Sequence, residues 1–272
     1  MDIHALSKLN QYFDNLGTHD FAVAFSGGVD STVLLKLAVD HASMSHGKVY
    51  AITVNNSLNP IEEIEEARCT AVSLGAQFVP LSVDVLQDSG IKQNSIDRCY
   101  LCKKRILSCI LSFAKEHGIT TTMEGTNQSD LSVFRPGQKA LQELPVISPL
   151  ADCGVSKEDV RLIAADFSLP QADKPSMPCM ATRFPYGTSL DPNLFPAIYE
   201  AEQFLRDLGC LNVRIRIHGE LARIETDVFC QSIVMEHRGE IIEHVKKTGV
   251  SFITLDLEGF CSGSMDKNIN QK

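Results

Sequence analysis

A five-residue apolar run, Phe21-Ala22-Val23-Ala24-Phe25, ends abruptly at Ser26-Gly27-Gly28, and apolar residues at helical spacing follow over 31–39. A strand that turns through two glycines straight into a helix opens a βαβ unit, and this feature limits the fold more than any other. The alternation then repeats. Residues 49–54, 78–83 and 120–123 read as further strands, and 61–74, 99–117 and 156–167 as helices. Glu62, Glu63, Glu65 and Glu66 mark the wet side of the first of these helices, and Gly118 stops the second. Ser156 suits the N-cap of the third, with Glu158 and Asp159 in its first turn. The expected class is α/β, a doubly wound parallel sheet covered by helices on both faces.

The pattern changes after about Gly187. Asp191-Pro192 reads as a helix start, 194–208 as an amphipathic helix, and 212–226 as two strands around His218-Gly219-Glu220. Residues 228–247 read as one helix and 251–257 as a last strand. Two domains are therefore expected: 1–187 for nucleotide binding, and 188–272, a smaller α/β domain for substrate or oligomer contacts. The joining stretch 174–187 is rich in proline and small residues.

Composition narrows the function. Of 272 residues 44% are hydrophobic and 22% charged, enough for a sizeable core. A net charge of −9 argues against a nucleic-acid surface, so no nucleic-acid partner is expected. No apolar stretch approaches the roughly 18 residues that cross a bilayer, so no membrane partner is expected either. Residues 1–10 lack a charged then apolar leader, and the default location is cytoplasmic. Nine cysteines, an odd number, speak against a disulfide framework.

The glycine turn carries the first chemistry. Gly27 and Gly28 let backbone N–H groups approach an anion, and the helix start adds unpaired N–H groups with partial positive charge. Ser26 and Ser31 add hydroxyls. Asp30 would repel a phosphate directly, so its role runs through Mg²⁺. The loop has no Gly-Lys-Ser/Thr ending, hence no lysine set for a terminal phosphate. Glu124-Gly125-Thr126-Asn127, with Asp130, follows another strand and belongs at the same crevice, with Gly125 and Asn127 as ATP contacts. The plain alternatives are a strand-turn-helix with a glycine pair and an ordinary Gly-Asn turn.

Three cysteines stand apart. Cys99-Tyr100-Leu101-Cys102 opens a helix and is followed by Lys103-Lys104-Arg105. Cys179 lies between Pro178 and Arg183 in a stretch that prolines keep non-helical. A helix start and basic neighbours favour thiolates. The Cys-x-x-Cys alone fits a redox pair, half a zinc site, Fe–S ligands or simple burial. Three thiolates suit a [4Fe-4S] cluster with one open iron. Cys69, Cys109, Cys153, Cys210, Cys230 and Cys261 read as structural.

Ser26-Gly27-Gly28-Val29-Asp30-Ser31 resembles the loop of the ATP pyrophosphatase (PP-loop) superfamily. That implies cleavage of ATP between its α- and β-phosphates and an adenylated intermediate. A narrower set runs in order along residues 20–226. It comprises Asn94-Ser95-Ile96-Asp97-Arg98-Cys99 through Lys103, Glu124 through Asn127 with Asp130, Arg135-Pro136-Gly137, and Ser148-Pro149-Leu150. Lys174-Pro175-Ser176 through Arg183, Pro185-Tyr186-Gly187, 213–218 and Ala222-Arg223-Ile224-Glu225 complete it. Together these resemble the LarE-type ATP-dependent sulfur-insertion enzymes, which mature the nickel-pincer cofactor of lactate racemase.

The resemblance implies a pyridinium dicarboxylate mononucleotide as small-molecule substrate, adenylated by ATP with Mg²⁺ and converted to a thiocarboxylate. It makes Asp30 and Cys179 the catalytic residues and places Arg183, Arg214, Arg216 and Glu225 at the substrate, with Glu202 a further candidate. Sulfur would come from Cys179 itself, left as dehydroalanine, or from a sulfide on a [4Fe-4S] cluster held by Cys99, Cys102 and Cys179. A homo-oligomer is implied as well. Two other readings compete: a different PP-loop adenylating enzyme such as a tRNA thiolase, and a non-catalytic Fe–S or metal-binding protein.

Overall fold

The computed structural model describes residues 3–17, 20–44, 46–132, 136–175 and 177–266. Arg135 and Ser176 of the motifs above lie outside them. By backbone contacts the chain forms two units, residues 1–91 with 97–176, and residues 92–96 with 177–272.

The first unit alternates strand and helix: α1 (Ile3–Leu16), β1 (Phe21–Ala24), α2 (Val29–Ser43), β2 (Val49–Asn55), α3 (Ile61–Ser73) and β3 (Gln77–Ser82). Then come α4 (Ser89–Lys92), α5 (Arg98–Glu116), β4 (Thr121–Glu124), α6 (Gln128–Leu131), α7 (Gln138–Glu143), α8 (Pro149–Asp152) and α9 (Lys157–Asp166). The four strands order as β3-β2-β1-β4 and every pairing is parallel. Phe21, Ala22 and Val23 of central β1 are all fully buried, as a strand covered on both faces requires. β3 lies at the edge and carries Pro80, which lacks the N–H an inner strand needs. This is the expected α/β class with a parallel sheet and flanking helices.

α1 was not among the expected elements. Leu9 and Phe13, spaced one turn apart, are fully buried in the core with Phe21, Val33 and Leu34. Burying each of them contributes about 1.5–3 kcal/mol, so α1 is part of the core rather than an appendage.

The second unit holds α10 (Phe195–Asp207), β5 (Val213–His218), β6 (Leu221–Thr226), α11 (Gln231–Glu236), α12 (Arg238–Lys246) and β7 (Phe252–Leu255). Its sheet orders as β5-β6-β7, with β5–β6 antiparallel and β6–β7 parallel. The hairpin turns at Gly219, which takes φ +62°. The single helix expected over 228–247 is a 3₁₀ turn, Val228–Cys230, followed by two helices. They part at His237, where ψ is +18°. Gly239 just beyond weakens any continuous helix through this point.

The second unit also takes in residues 92–96 from within the sequence of the first. Asn94 is fully buried there, and its side-chain amide donates to the carbonyls of Phe184 (3.1 Å) and Pro185 (2.9 Å).

Candidate functional site

In an open parallel sheet the ligand crevice lies beyond the strand C-termini where the strand order reverses. Here the order 3-2-1-4 reverses between β1 and β4. The loop after β1 and the loop after β4 are therefore the two lips of the crevice, and both motifs read from sequence fall on them.

The first lip is held from beneath. Phe25 N–H donates to the Ile52 carbonyl (2.9 Å), and the Thr53 hydroxyl donates to the Phe25 carbonyl (2.8 Å). Gly27 turns the chain at φ +73°, and a Cβ there would lie 3.1 Å from the Ala67 Cβ. Gly28 caps α2 in an extended conformation. The Ser31 and Thr32 hydroxyls donate to its carbonyl at 3.0 and 2.9 Å, and the Ser26 and Ser31 hydroxyls lie 3.2 Å apart. The loop thus presents a helix N-terminus flanked by two hydroxyls, an arrangement suited to a phosphate.

The second lip approaches closely. A Cβ on Gly125 would sit 3.0 Å from the Ser31 backbone nitrogen, so only glycine fits without backbone movement. Asn127 caps α6 in a reciprocal capping box with Asp130, which gives Asp130 a structural role. The Asn127 amide also donates to Asp30 Oδ1 at 2.9 Å, linking the two lips.

Two lysines here were not assigned to the site by the sequence pattern. Lys157, the first residue of α9, pairs through its ammonium with Asp30. Lys103 Nζ donates to Glu124 Oε2 (2.9 Å) and Thr126 Oγ1 (3.2 Å), and Glu124 also accepts from the Thr126 N–H and the Ser148 hydroxyl. The lysine missing from the glycine loop is thus matched by two from other elements. Lys157 follows the N-cap Ser156 and Lys103 follows Cys102, so both stood beside recognised signals. What was absent was any cue that α5 and α9 begin at the same strand ends.

Cys99 and Cys102 lie half-buried in the first turn of α5, in the first unit, and Cys179 lies half-buried in the second. None of the nine cysteines is joined in a disulfide. Among the described residues no three His, Cys, Asp or Glu side chains are gathered so as to hold a metal ion.

In the second unit the expected substrate residues form one charged network. Arg214 and Arg216 alternate along β5 opposite Glu225 and Arg223 of β6, so all four share a sheet face. Glu225 accepts from Arg216 Nε (3.1 Å), Arg223 Nη2 (2.7 Å) and the Ser264 hydroxyl (2.8 Å). Arg183 is 1% exposed and forks onto both oxygens of Glu202 at 2.9 and 2.7 Å. Glu202, also fully buried, accepts from Arg206 Nη2 (3.0 Å) and from the Ile215 N–H (2.9 Å) on the open edge of β5.

Burial alone would push the Glu202 carboxyl up, but Arg183 and the Ile215 N–H hold it below the ordinary range. Arg214, over the Phe260 ring, is pulled down to about 10 by burial and by the neighbouring Arg183. With Arg183 and Glu202 paired to each other, Arg206, Arg214, Arg216 and Arg223 outnumber the carboxylates Glu225 and Asp256. The surplus of positive charge suits an anionic ligand.

Comparison with known proteins agrees with this geometry. A PP-loop domain matches residues 1–99. The chain is 34% identical to the pyridinium-3,5-bisthiocarboxylic acid mononucleotide synthase of Lactiplantibacillus plantarum, over 92% of this chain and 90% of that one. It is equally identical, 34%, to an uncharacterized protein of Synechocystis over 96% of this chain and 97% of the other. A tRNA(Ile)-lysidine synthase of Pseudomonas aeruginosa shares 26% identity over 71% of this chain and 49% of its own length. Sheet order, glycine loop and matched domain define an ATP-dependent enzyme of the PP-loop class. Within that class the chain belongs to the LarE-type family. No described helix is long and apolar enough to cross a membrane.

Proposed function

We propose that this enzyme adenylates the carboxylates of a pyridinium-3,5-dicarboxylate mononucleotide and converts them to thiocarboxylates. The observation that carries the reading is the paired lips at the β1/β4 reversal, with Ser26, Gly27, Gly28 and Ser31 on one side and Gly125 and Asn127 on the other. A carboxylate is a poor electrophile, and transfer of AMP to it, with release of pyrophosphate, supplies a leaving group. The helix start of α2 receives phosphate. Asp30 is the residue to hold Mg²⁺, which would screen phosphate charge when bound. Arg214, Arg216 and Glu225 serve the substrate phosphate and its metal.

Cys179 supplies sulfur. Its Sγ attacks the acyl carbon and AMP departs, leaving a thioester. Loss of the Cys179 Cα proton and cleavage of the Cβ–Sγ bond then release the thiocarboxylate and leave dehydroalanine. Cys99, Cys102 and Cys179 would instead hold a [4Fe-4S] cluster in the variant of this reading in which an iron-bound sulfide is transferred. That variant rests on the residue pattern alone. The same reading places the enzyme in the cytoplasm as a homo-oligomer whose smaller domain contributes to substrate and subunit contacts.

The test is incubation with ATP, Mg²⁺ and the dicarboxylate, followed by mass spectrometry of product and protein. Sulfur-for-oxygen exchange in the product is expected. Loss of one H₂S from the protein identifies Cys179 as donor, and a brown, mass-invariant protein identifies the cluster. Absence of any thiocarboxylate from both protein forms sinks the proposal. Tight tRNA binding at physiological salt would favour a tRNA thiolase, though the acidic chain speaks against it.

A further inference from the structure

The turn that carries Cys179 has little secondary structure to hold it. Between residues 177 and 187 only Met180–Arg183 forms a 3₁₀ turn, and Pro178 and Pro185 have no N–H to donate. Carbonyls in such a segment need partners from elsewhere. Two buried side chains within the second unit supply them.

The first is Asn94. It is 0% exposed and sits at φ +50°, a left-handed conformation that asparagine tolerates better than most residues. Its side-chain NH₂ reaches the carbonyls of Ala181 (3.4 Å), Phe184 (3.1 Å) and Pro185 (2.9 Å), and its backbone carbonyl accepts the Gly187 N–H at 3.0 Å. The second is Arg183. Its Nη1 donates to the carbonyls of Pro178 (2.6 Å) and Cys179 (3.4 Å), while Nε and Nη2 are committed to Glu202. The Cys179 carbonyl also accepts from the Thr182 N–H (3.1 Å) and hydroxyl (2.9 Å). Every nitrogen of the Arg183 guanidinium is thus engaged inside the protein.

We propose that Asn94 and Arg183 are positioning residues for Cys179. They fix the backbone on either side of it so that Sγ is presented in one orientation to an activated carboxylate. Arg183 then acts through Cys179 and not by contact with substrate, the role the resemblance implies for it. Asn94 performs this from a segment just ahead of Cys99-Tyr100-Leu101-Cys102, which explains why residues 92–96 fold with the second unit. The inference rests on the reading of Cys179 as the sulfur-bearing residue.

The test uses the full chain with Asn94→Gly, which keeps the left-handed backbone and removes only the amide, and Arg183→Lys, which keeps charge but not the fork. Three quantities are measured: pyrophosphate exchange into ATP with the dicarboxylate, kcat and KM for thiocarboxylate formation, and the iodoacetamide rate at Cys179 relative to exposed Cys69 by peptide mass. Misplacing a reacting group by about 1 Å costs up to about 100-fold. Both variants are expected to lower kcat by about 10- to 100-fold and shift the Cys179/Cys69 ratio at least about threefold, with exchange and KM within about twofold of the parent. An unchanged ratio and kcat overturns the inference. So does a parallel loss of exchange, which marks general damage. A parent protein that forms no thiocarboxylate refutes the sulfur-transfer reading instead, and the alkylation ratio still decides whether Asn94 and Arg183 position the thiol.

Discussion

Replacing Glu202 with glutamine tests the charge network of the second unit. The two side chains have nearly the same shape, so packing is kept. Glu202 is 0% exposed and accepts four hydrogen bonds, three from guanidinium groups and one from the Ile215 N–H. Glutamine keeps one acceptor oxygen and turns an NH₂ toward Arg183, donor against donor. Arg183, 1% exposed, would be left as a buried cation without its carboxylate. Breaking one partner of a buried pair costs about 3–5 kcal/mol, against at most about 1 kcal/mol for an exposed pair.

Hydrogen exchange of the β5–β6 peptides followed across a urea series reads this unit alone. A midpoint fall of about 2 M is expected for Glu202→Gln at pH 7, with the β1–β4 peptides unmoved. The pH dependence has a fixed sign. The Glu202 carboxyl titrates below its usual 4.5 in the folded protein. Its stabilisation is therefore complete above that usual value and disappears as pH falls through the lower folded value. The gap between parent and variant should stay constant from pH 6 to 8 and close only in acid. A gap under about 1 kcal/mol at pH 7, or one that closes near neutrality, refutes the argument.

Gly125→Ala forces a Cβ to 3.0 Å from the Ser31 backbone nitrogen, so ATP affinity by calorimetry should fall at least about tenfold and folding stability by about 1–3 kcal/mol. Lys157→Met removes the cation paired with Asp30. Because a part-exposed pair contributes at most about 1 kcal/mol, stability should barely change, whereas pyrophosphate affinity should fall about 10-fold or more. Burial, with the neighbouring Cys230 thiol, lifts the Cys210 thiol to about 12. It should therefore resist iodoacetamide at pH 8 in the folded protein while exposed Cys69 and Cys261 react, as peptide mass mapping would show.

Much of this was legible because local chemistry and fold agree. Each of the four parallel strands and the helices α2, α3, α5, α9 and α10 carries its own period and stop signals, and Ser156 caps α9 through Asp159 as its spacing indicates. The lips of the crevice were legible because Gly27 and Gly125 are required by backbone conformation or close approach. α1 carries Leu6, Leu9, Phe13 and Leu16 at helical spacing, but no acidic first turn or basic last turn marks its ends. Lys103 and Lys157 were not legible as site residues, because their pairing with Glu124 and Asp30 depends on sheet order. The partner of Arg183 was not legible: a sequence shows its charge, and only the fold shows that charge paired with Glu202.

The excursion of residues 92–96 into the second unit bears on how the gene can be edited. Cutting between 176 and 177 would separate Asn94 from the carbonyls it serves, so neither fragment carries a complete second unit. Exchange of the C-terminal half between relatives should succeed only when the short stretch before Cys99 travels with it. Insertions on either side of Asn94 would be felt some ninety residues later, at the turn that carries Cys179.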